Sequence, residues 1–287
     1  MTRQVMAGRR RLGYRRRMTA VNRIPIGSLL REWRQRRRLS QLELALSAEV
    51  SRQLRWRVET GRAQPSREMV LRLAERLEVP LRERNRWLTA AGYAPMFAER
   101  PLADPALRAA REAVELVLRV HEPCPALAVD RHWTLVAYNR AVPPLLAGLP
   151  AAQLAAPLNV LRLSLHPDGL APRILNLAQW RAHLFARLRQ QIAASGDATL
   201  AALLQELKSY PAPAPHDGPV GEPAVVVPLQ LTSPAGTLSL ISTTTVFGTP
   251  VDVTLAELAL ETFFPADAAT AQALRRLAET PPAAQAA

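Results

Sequence analysis

The sequence predicts two domains: an all-α domain at the N-terminus, then an α+β domain built on an antiparallel sheet of about five strands. Three observations carry this. Residues 1–92 hold 23 of the 37 Lys+Arg and only 8 of the 24 Asp+Glu, so the excess positive charge lies in the first third. Apolar residues there recur every three to four positions, the helical period. Beyond it, short alternating runs bounded by Pro, Gly, Asp and Asn interrupt longer helical stretches. A chain of 287 residues with 48% hydrophobic content is enough for two cores.

Residues 1–23 read as a disordered basic arm (Arg9 to Arg11, Arg15 to Arg17) or, with Met18 as an alternative start, as sequence ahead of the true first residue. No apolar stretch follows them, which argues against a secretory signal. Residues 24–92 form the helical domain. Ile26, Leu29, Leu30 and Trp33 share one helix face. Ser40 and Glu43 stand at capping-box spacing ahead of a helix over 41–48. Ser51 caps a helix running to Thr60, with Gly61 as its stop. Ser66 caps residues 67–77, and Pro80 opens a fifth helix ending at Gly92.

The helices at 41–48 and 52–60 are separated by about three residues, which is helix-turn-helix spacing. One helix of such a pair enters the major groove while its neighbour fixes the angle. Ser40-Gln41-Leu42-Glu43-Leu44-Ala45, Val50-Ser51, Val58-Glu59-Thr60-Gly61 and Pro65-Ser66 resemble the phage-repressor-like (XRE) helix-turn-helix family. The resemblance implies that Gln41 contacts phosphate, that Arg52 and Gln53 read bases, and that Arg57 makes a further base or backbone contact; Ser51 and Arg62 complete the expected DNA-facing set. Arg suits guanine O6/N7, and Gln suits adenine N6/N7. Two positions depart from the family pattern. Glu49 stands where Gly makes the turn, and Arg55 where a core Ile or Leu is expected, which predicts a less stable domain.

Residues 93–105 read as a Pro-containing linker and 106–280 as the second domain. A helix spans 106–120 and ends at the His121-Glu122-Pro123-Cys124-Pro125 segment. Strands follow at 126–129 and 133–138, joined by an Asp130-Arg131-His132 turn, and Asn139 caps a helix containing Leu145 and Leu146. This hairpin, turn and helix resemble the opening of a PAS-type sensor domain. Helices are expected at 159–165, 174–192 and 199–209, then a loop over 210–223 with five prolines. Strands at 224–231 and 237–247 flank a Ser233-Pro234-Ala235-Gly236 turn. A fifth strand at 251–254 leads into a helix over 255–264.

Asn159-Val160-Leu161-Arg162-Leu163, His166-Pro167-Asp168-Gly169-Leu170, the run Thr243 to Pro250 and Glu261-Thr262-Phe263-Phe264-Pro265-Ala266-Asp267 resemble the ligand-binding domain of MmyB-type transcriptional regulators. With the helix-turn-helix, the resemblance covers about 24–276. It implies a PAS-like domain with an apolar pocket, with fatty-acid-like ligands suggested for some members. His132, Trp133, Tyr138, Trp180, Leu184, Thr244 and Phe247 are the expected pocket residues, since such pockets are apolar with a few placed polar groups.

The sequence has no GxGxxG, Walker A, HExxH or GxSxG. Its five histidines are scattered, and the single Cys124 cannot form an intrachain disulfide or a CxxC site. Cys124-Pro125 alone is too short a motif to signal haem. No cofactor, metal or enzymatic activity is expected. The expected partners are double-stranded DNA, a second copy of the chain, because one recognition helix reads only a few base pairs, and a small apolar ligand such as a fatty acid. Without an ~18-residue apolar run, the expected location is the cytoplasm, at the nucleoid. The alternative is a C-terminal domain that serves only dimerisation or protein contact.

Overall fold

The computed structural model describes residues 24–47, 52–211 and 226–279, at 47 and 52–55 without side chains. The basic arm, Glu49, Ser51 and most of the proline loop lie outside these residues, as do the side chains of Arg52, Gln53 and Arg55.

The N-terminal domain is five helices: α1 (Ile26–Arg36), α2 (Gln41–Ser47), α3 (Arg52–Glu59), α4 (Arg67–Arg76) and α5 (Leu81–Ala90). The capping box at α2 forms reciprocally: the Ser40 amide donates to Glu43 Oε2 (2.6 Å) and the Glu43 amide to Ser40 Oγ (3.2 Å). Ser66 caps α4 by accepting from the Met69 amide. Leu30, Trp33, Leu44, Val58, Leu73 and Trp87 bury one core. Gly27 lets α1 approach α3: a Cβ there would lie 2.5 Å from the Val58 carbonyl oxygen, so even alanine would force the helices apart.

The linker is tied at both ends. Asn85 of α5 accepts from the Met96 and Phe97 amides and donates to the Phe97 carbonyl. A 3₁₀ turn at Pro105–Leu107, capped by Asp104, then leads into α6 (Arg108–Val120).

The C-terminal domain carries β1 (Ala126–Val129), β2 (Leu135–Tyr138), α7 (Pro143–Leu146), α8 (Val160–Leu165), α9 (Leu177–Ser195), α10 (Ala198–Ser209), β3 (Leu229–Ser233), β4 (Gly236–Val246), α11 (Val253–Ala256), β5 (Ala259–Pro265) and α12 (Ala268–Glu279). The five strands form one antiparallel sheet in the order β2-β1-β5-β4-β3. Side chains alternate across it. Leu127, Leu231, Leu240 and Phe263 face the helices α8 to α10, while Ala126, Ala128, Leu258 and Leu260 pack under Val114 and Leu118 of α6.

Several expectations fail here. The fifth strand is 259–265, not 251–254, and no helix spans 255–264. Leu258, Leu260, Phe263 and Phe264 fit helical spacing, but 259–265 is the central strand, and Leu260, Glu261 and Thr262 are buried in succession on opposite faces, which hides the two-residue alternation. Trp133 is not in a strand: it sits at the hairpin turn with φ +68°. Asn139 does not cap α7, which starts at Pro143. It is 5% exposed, accepts from the Ala126 and Ala141 amides and donates to the Leu118 and Cys124 carbonyls, tying α6 to the hairpin. The helix α9 starts three residues later than expected, because Ile174 bridges to Leu231. Asn159 does cap α8, accepting from the Leu161 and Arg162 amides.

Candidate functional site

On the N-terminal domain, α2 and α3 pack as a helix pair joined by 48–51. Arg57 is exposed, and exposed Arg62 stacks on Trp56, its guanidinium carbon 4.6 Å from the ring centre. Gln41, expected on phosphate, is half-buried and its amide donates to Glu59 Oε2 (2.8 Å). Glu59, with a side chain only 1% exposed, also accepts from Arg34 Nε at 3.0 Å. Arg34 in turn donates to the Leu39 carbonyl. This chain of charge-assisted hydrogen bonds joins α1, α2 and the end of α3, and so fixes the angle at which α3 is presented.

In the C-terminal domain a cavity of about 110 Å³ lies between the inner face of the sheet and the helices. Its walls come from every layer: Leu127 and Leu135 from the hairpin, Leu145 and Leu146 from α7, Leu161 and Ser164 from α8, Trp180 and Leu184 from α9, and Leu229, Leu231, Leu240 and Phe263 from the sheet. Ser164 is occupied, because its Oγ accepts from Trp180 Nε1 at 3.0 Å. The charged lining is one pair, Arg187 of α9 and Glu261 of β5. Arg187 Nη1 donates to Glu261 Oε2 at 2.9 Å, and its Nη2 reaches Glu261 Oε1 and Thr244 Oγ1. Thr244 donates to Glu261 Oε1 at 2.8 Å. The guanidinium also lies over Trp133, 4.5 Å from the ring centre, an Arg–aromatic stack. Beside it, His183 stacks on Trp180. Burial and then the Arg187 charge push the His183 imidazole below its usual value.

Of the expected pocket residues, Trp133, Trp180 and Leu184 line the cavity. Thr244 is exposed but holds the Arg187–Glu261 pair in place. His132 turns away from the cavity, its Nε2 lying 2.9 Å from Asp197 Oδ2. His132, Thr244, Tyr138 and Phe247 lie outside the lining. Tyr138, at the outer edge of β2, is 53% exposed and outside the lining, and Phe247 lies past the end of β4 against the α6 side of the sheet. Sequence reasoning missed Arg187 and Glu261. The signal was there: Arg187 stands seven residues after Trp180 on the apolar face of α9, and Glu261 is a lone carboxylate in an apolar run.

The helix α9 also reaches the first domain. At its C-terminal end the carbonyls of Ile192 and Ala194 accept from Arg36 and Arg37 of α1 (3.3 and 3.4 Å). Gly196, left-handed at φ +69°, ends α9 directly under the Arg36 head, where a Cβ would come within 2.1 Å of Nη1. On the other side, Arg82 of α5 holds Glu257 with two hydrogen bonds (2.8 and 2.9 Å), and Glu99 pairs with the same guanidinium. Arg131 lies 3.5 Å from Glu257 and 4.0 Å from Asp197. Burial alone would raise the Asp197 carboxyl, but the His132 hydrogen bond, the Thr199 amide and Arg131 hold it below its usual value.

Residues 110–277 match the model of the MmyB-like transcription regulator ligand binding domain, and residues 25–87 match a helix-turn-helix domain. The chain belongs to the MmyB-like transcription regulators. Comparison with curated proteins gives no match. The MmyB-like regulator therefore joins a helix-turn-helix DNA-binding domain to a ligand-binding domain, and the cavity lies wholly within the second match. Among the described residues, no helix is long and apolar enough to cross a membrane, and no group of three or more His, Cys, Asp or Glu could hold a metal ion.

Proposed function

We propose that the MmyB-like regulator binds specific DNA sequences as a bacterial, XRE-type homodimer in the cytoplasm, and that a small apolar molecule in its C-terminal cavity changes that binding. The strand order 2-1-5-4-3 supports a PAS-like reading of the domain. The observation that carries the proposal is the cavity itself. It is walled by Leu, Trp and Phe, and its charged lining is already paired. At about 110 Å³ it is smaller than the ~150 Å³ apolar cavity that admits benzene, so a longer guest requires the walls to part. A fatty-acid-like ligand, which the family resemblance implies, would lay its chain among the leucines with its carboxylate beside Arg187, whose pair with Glu261 stays in place. The apolar walls and the paired Arg187 and Glu261 support a binding role for the domain.

Ligand binding requires unequal affinity for two conformations of the protein if it is to regulate. Native mass spectrometry of the purified full chain, followed by titration with medium-chain fatty acids under Trp fluorescence, tests the ligand. Leu184→Trp, which fills the cavity, is expected to abolish the response. An unchanged response in that variant would place the ligand outside this cavity, and no response in wild type would leave the dimerisation-only alternative. For DNA, Arg52→Ala is expected to weaken cognate binding by about 1–3 kcal/mol and to relax specificity. Anisotropy on the upstream region of the gene against scrambled duplex, at two salt concentrations, reads both. Equal, steeply salt-dependent binding to the two duplexes would reduce the interaction to phosphate attraction.

A further inference from the structure

The helix α6 buries Val114 and Leu118 against the sheet, yet it carries a second apolar stripe. Ala109, Ala113, Leu116, Val117 and Val120 are all exposed, the last three at 50%, 45% and 73%. Ala109, Ala113, Leu116 and Val120 are spaced four, three and four residues apart, which is the two-position seam of a heptad repeat. Glu112 and Arg119 flank the seam on one side, and Ala110 and Val117 on the other. Surface helices do not ordinarily present a seam of this kind to water.

We infer that this face of α6 is a homodimer surface that pairs antiparallel with α6 of a second copy. The inference rests on the proposed dimer and names where it forms. The pattern is self-complementary in one orientation only. Antiparallel pairing about a two-fold axis sets Ala113 against Leu116 of the second copy and Ala109 against Val120, each twice. Every layer thus meets small with large, as close packing requires. The same axis brings Glu112 opposite Arg119 of the second copy, twice, and Ala110 opposite Val117. Parallel pairing would instead oppose Ala with Ala and Leu with Leu, splaying one end, and would set Glu112 against Val117. In an isologous contact one residue pair counts twice, so the charge match is doubled.

At 13 residues α6 is about 20 Å long. The seam widens at its end, where Phe264 (45% exposed) packs edge-on against His121. A contact this size falls short of the ~800 Å² per partner of standard interfaces. A weak association is expected, suited to two chains that adjacent half-sites on DNA also hold together.

The test is sedimentation equilibrium of the full chain, without DNA, over a hundredfold range of concentration. Wild type is expected to dimerise. Leu116→Glu and Glu112→Arg are each expected to weaken the dimer at least tenfold, and Glu112→Arg combined with Arg119→Glu to return it to within about threefold. The substituted positions are exposed, and unchanged circular dichroism would show that each variant folds. A dimer that ignores Leu116→Glu, or a charge reversal that is harmless or is not rescued, would overturn the α6 assignment while leaving the dimer reading intact. A wild type that stays monomeric throughout would overturn both.

Discussion

Removing the Arg187 guanidinium gives the sharpest test of how the cavity is built. Glu261 has a side chain only 4% exposed, and its carboxylate is held by Arg187 and Thr244. In Arg187→Met the carboxylate keeps one neutral hydroxyl donor. Breaking a buried pair on one side costs about 3–5 kcal/mol. Arg187 is itself 19% exposed, so water reaches the orphaned group and the lower end applies. Loss of the stack on Trp133 adds about 0.5–1 kcal/mol. The sum, about 4 kcal/mol, lowers the melting temperature of a domain this size by roughly 8–16 °C. Substituting both residues by Met removes both charges together, and such replacements are often close to neutral, so the double variant is expected within about 1 kcal/mol of wild type. Calorimetry of the full chain reads this in the C-terminal transition, with the helix-turn-helix transition as internal reference. A single variant no less stable than the double one would refute the view that Arg187 is what makes a buried carboxylate tolerable here.

Three further outcomes follow from the geometry. Asn139→Leu deprives four backbone groups of their partner in a buried site, and at about 1 kcal/mol per bond should cost about 3–5 kcal/mol in urea denaturation. Glu59→Ala frees Arg34 and Gln41, and should destabilise the N-terminal domain by about 3 kcal/mol while weakening cognate DNA binding in anisotropy. The folded His183 imidazole is lowered, so the unfolded chain takes up a proton first as pH falls; the stability it contributes is present above pH ~6.5 and declines below it. His183→Gln should flatten the fall in melting temperature between pH 7.5 and 5.5, and an unchanged slope would dismiss the effect.

The helical domain was legible because its signals are local: caps at Ser40 and Ser66 and a 3.6-residue period fix each helix without reference to the rest of the chain. The sheet was legible in its two hairpins, whose turns announce themselves, but not in β5. That strand is defined by partners at 126–129 and 240–246, more than a hundred residues and 13 to 25 residues away, and its period is masked where Leu260, Glu261 and Thr262 are buried in succession. Asn139 was misassigned for a related reason: asparagine ahead of an apolar run suits a helix cap, and only the tertiary approach of α6 sends its four hydrogen bonds elsewhere. In the cavity, the aromatic residues were found by size and the ion pair was not, because Arg187 and Glu261 acquire their meaning only when α9 crosses β5.

The helix that supplies Trp180, Leu184 and Arg187 to the cavity is the one whose far carbonyls are gripped by Arg36 and Arg37. It works as a lever arm. Trp180 and Ala194 are about 21 Å apart along a rigid rod, so a tilt of only about 5° at the cavity end swings the other end by nearly 2 Å. Hydrogen bonds weaken steeply past about 3.5 Å, and the two arginine contacts begin at 3.3 and 3.4 Å. If the proposed guest tilted α9 by pressing on Leu184, the first helix of the DNA-binding domain would lose these contacts.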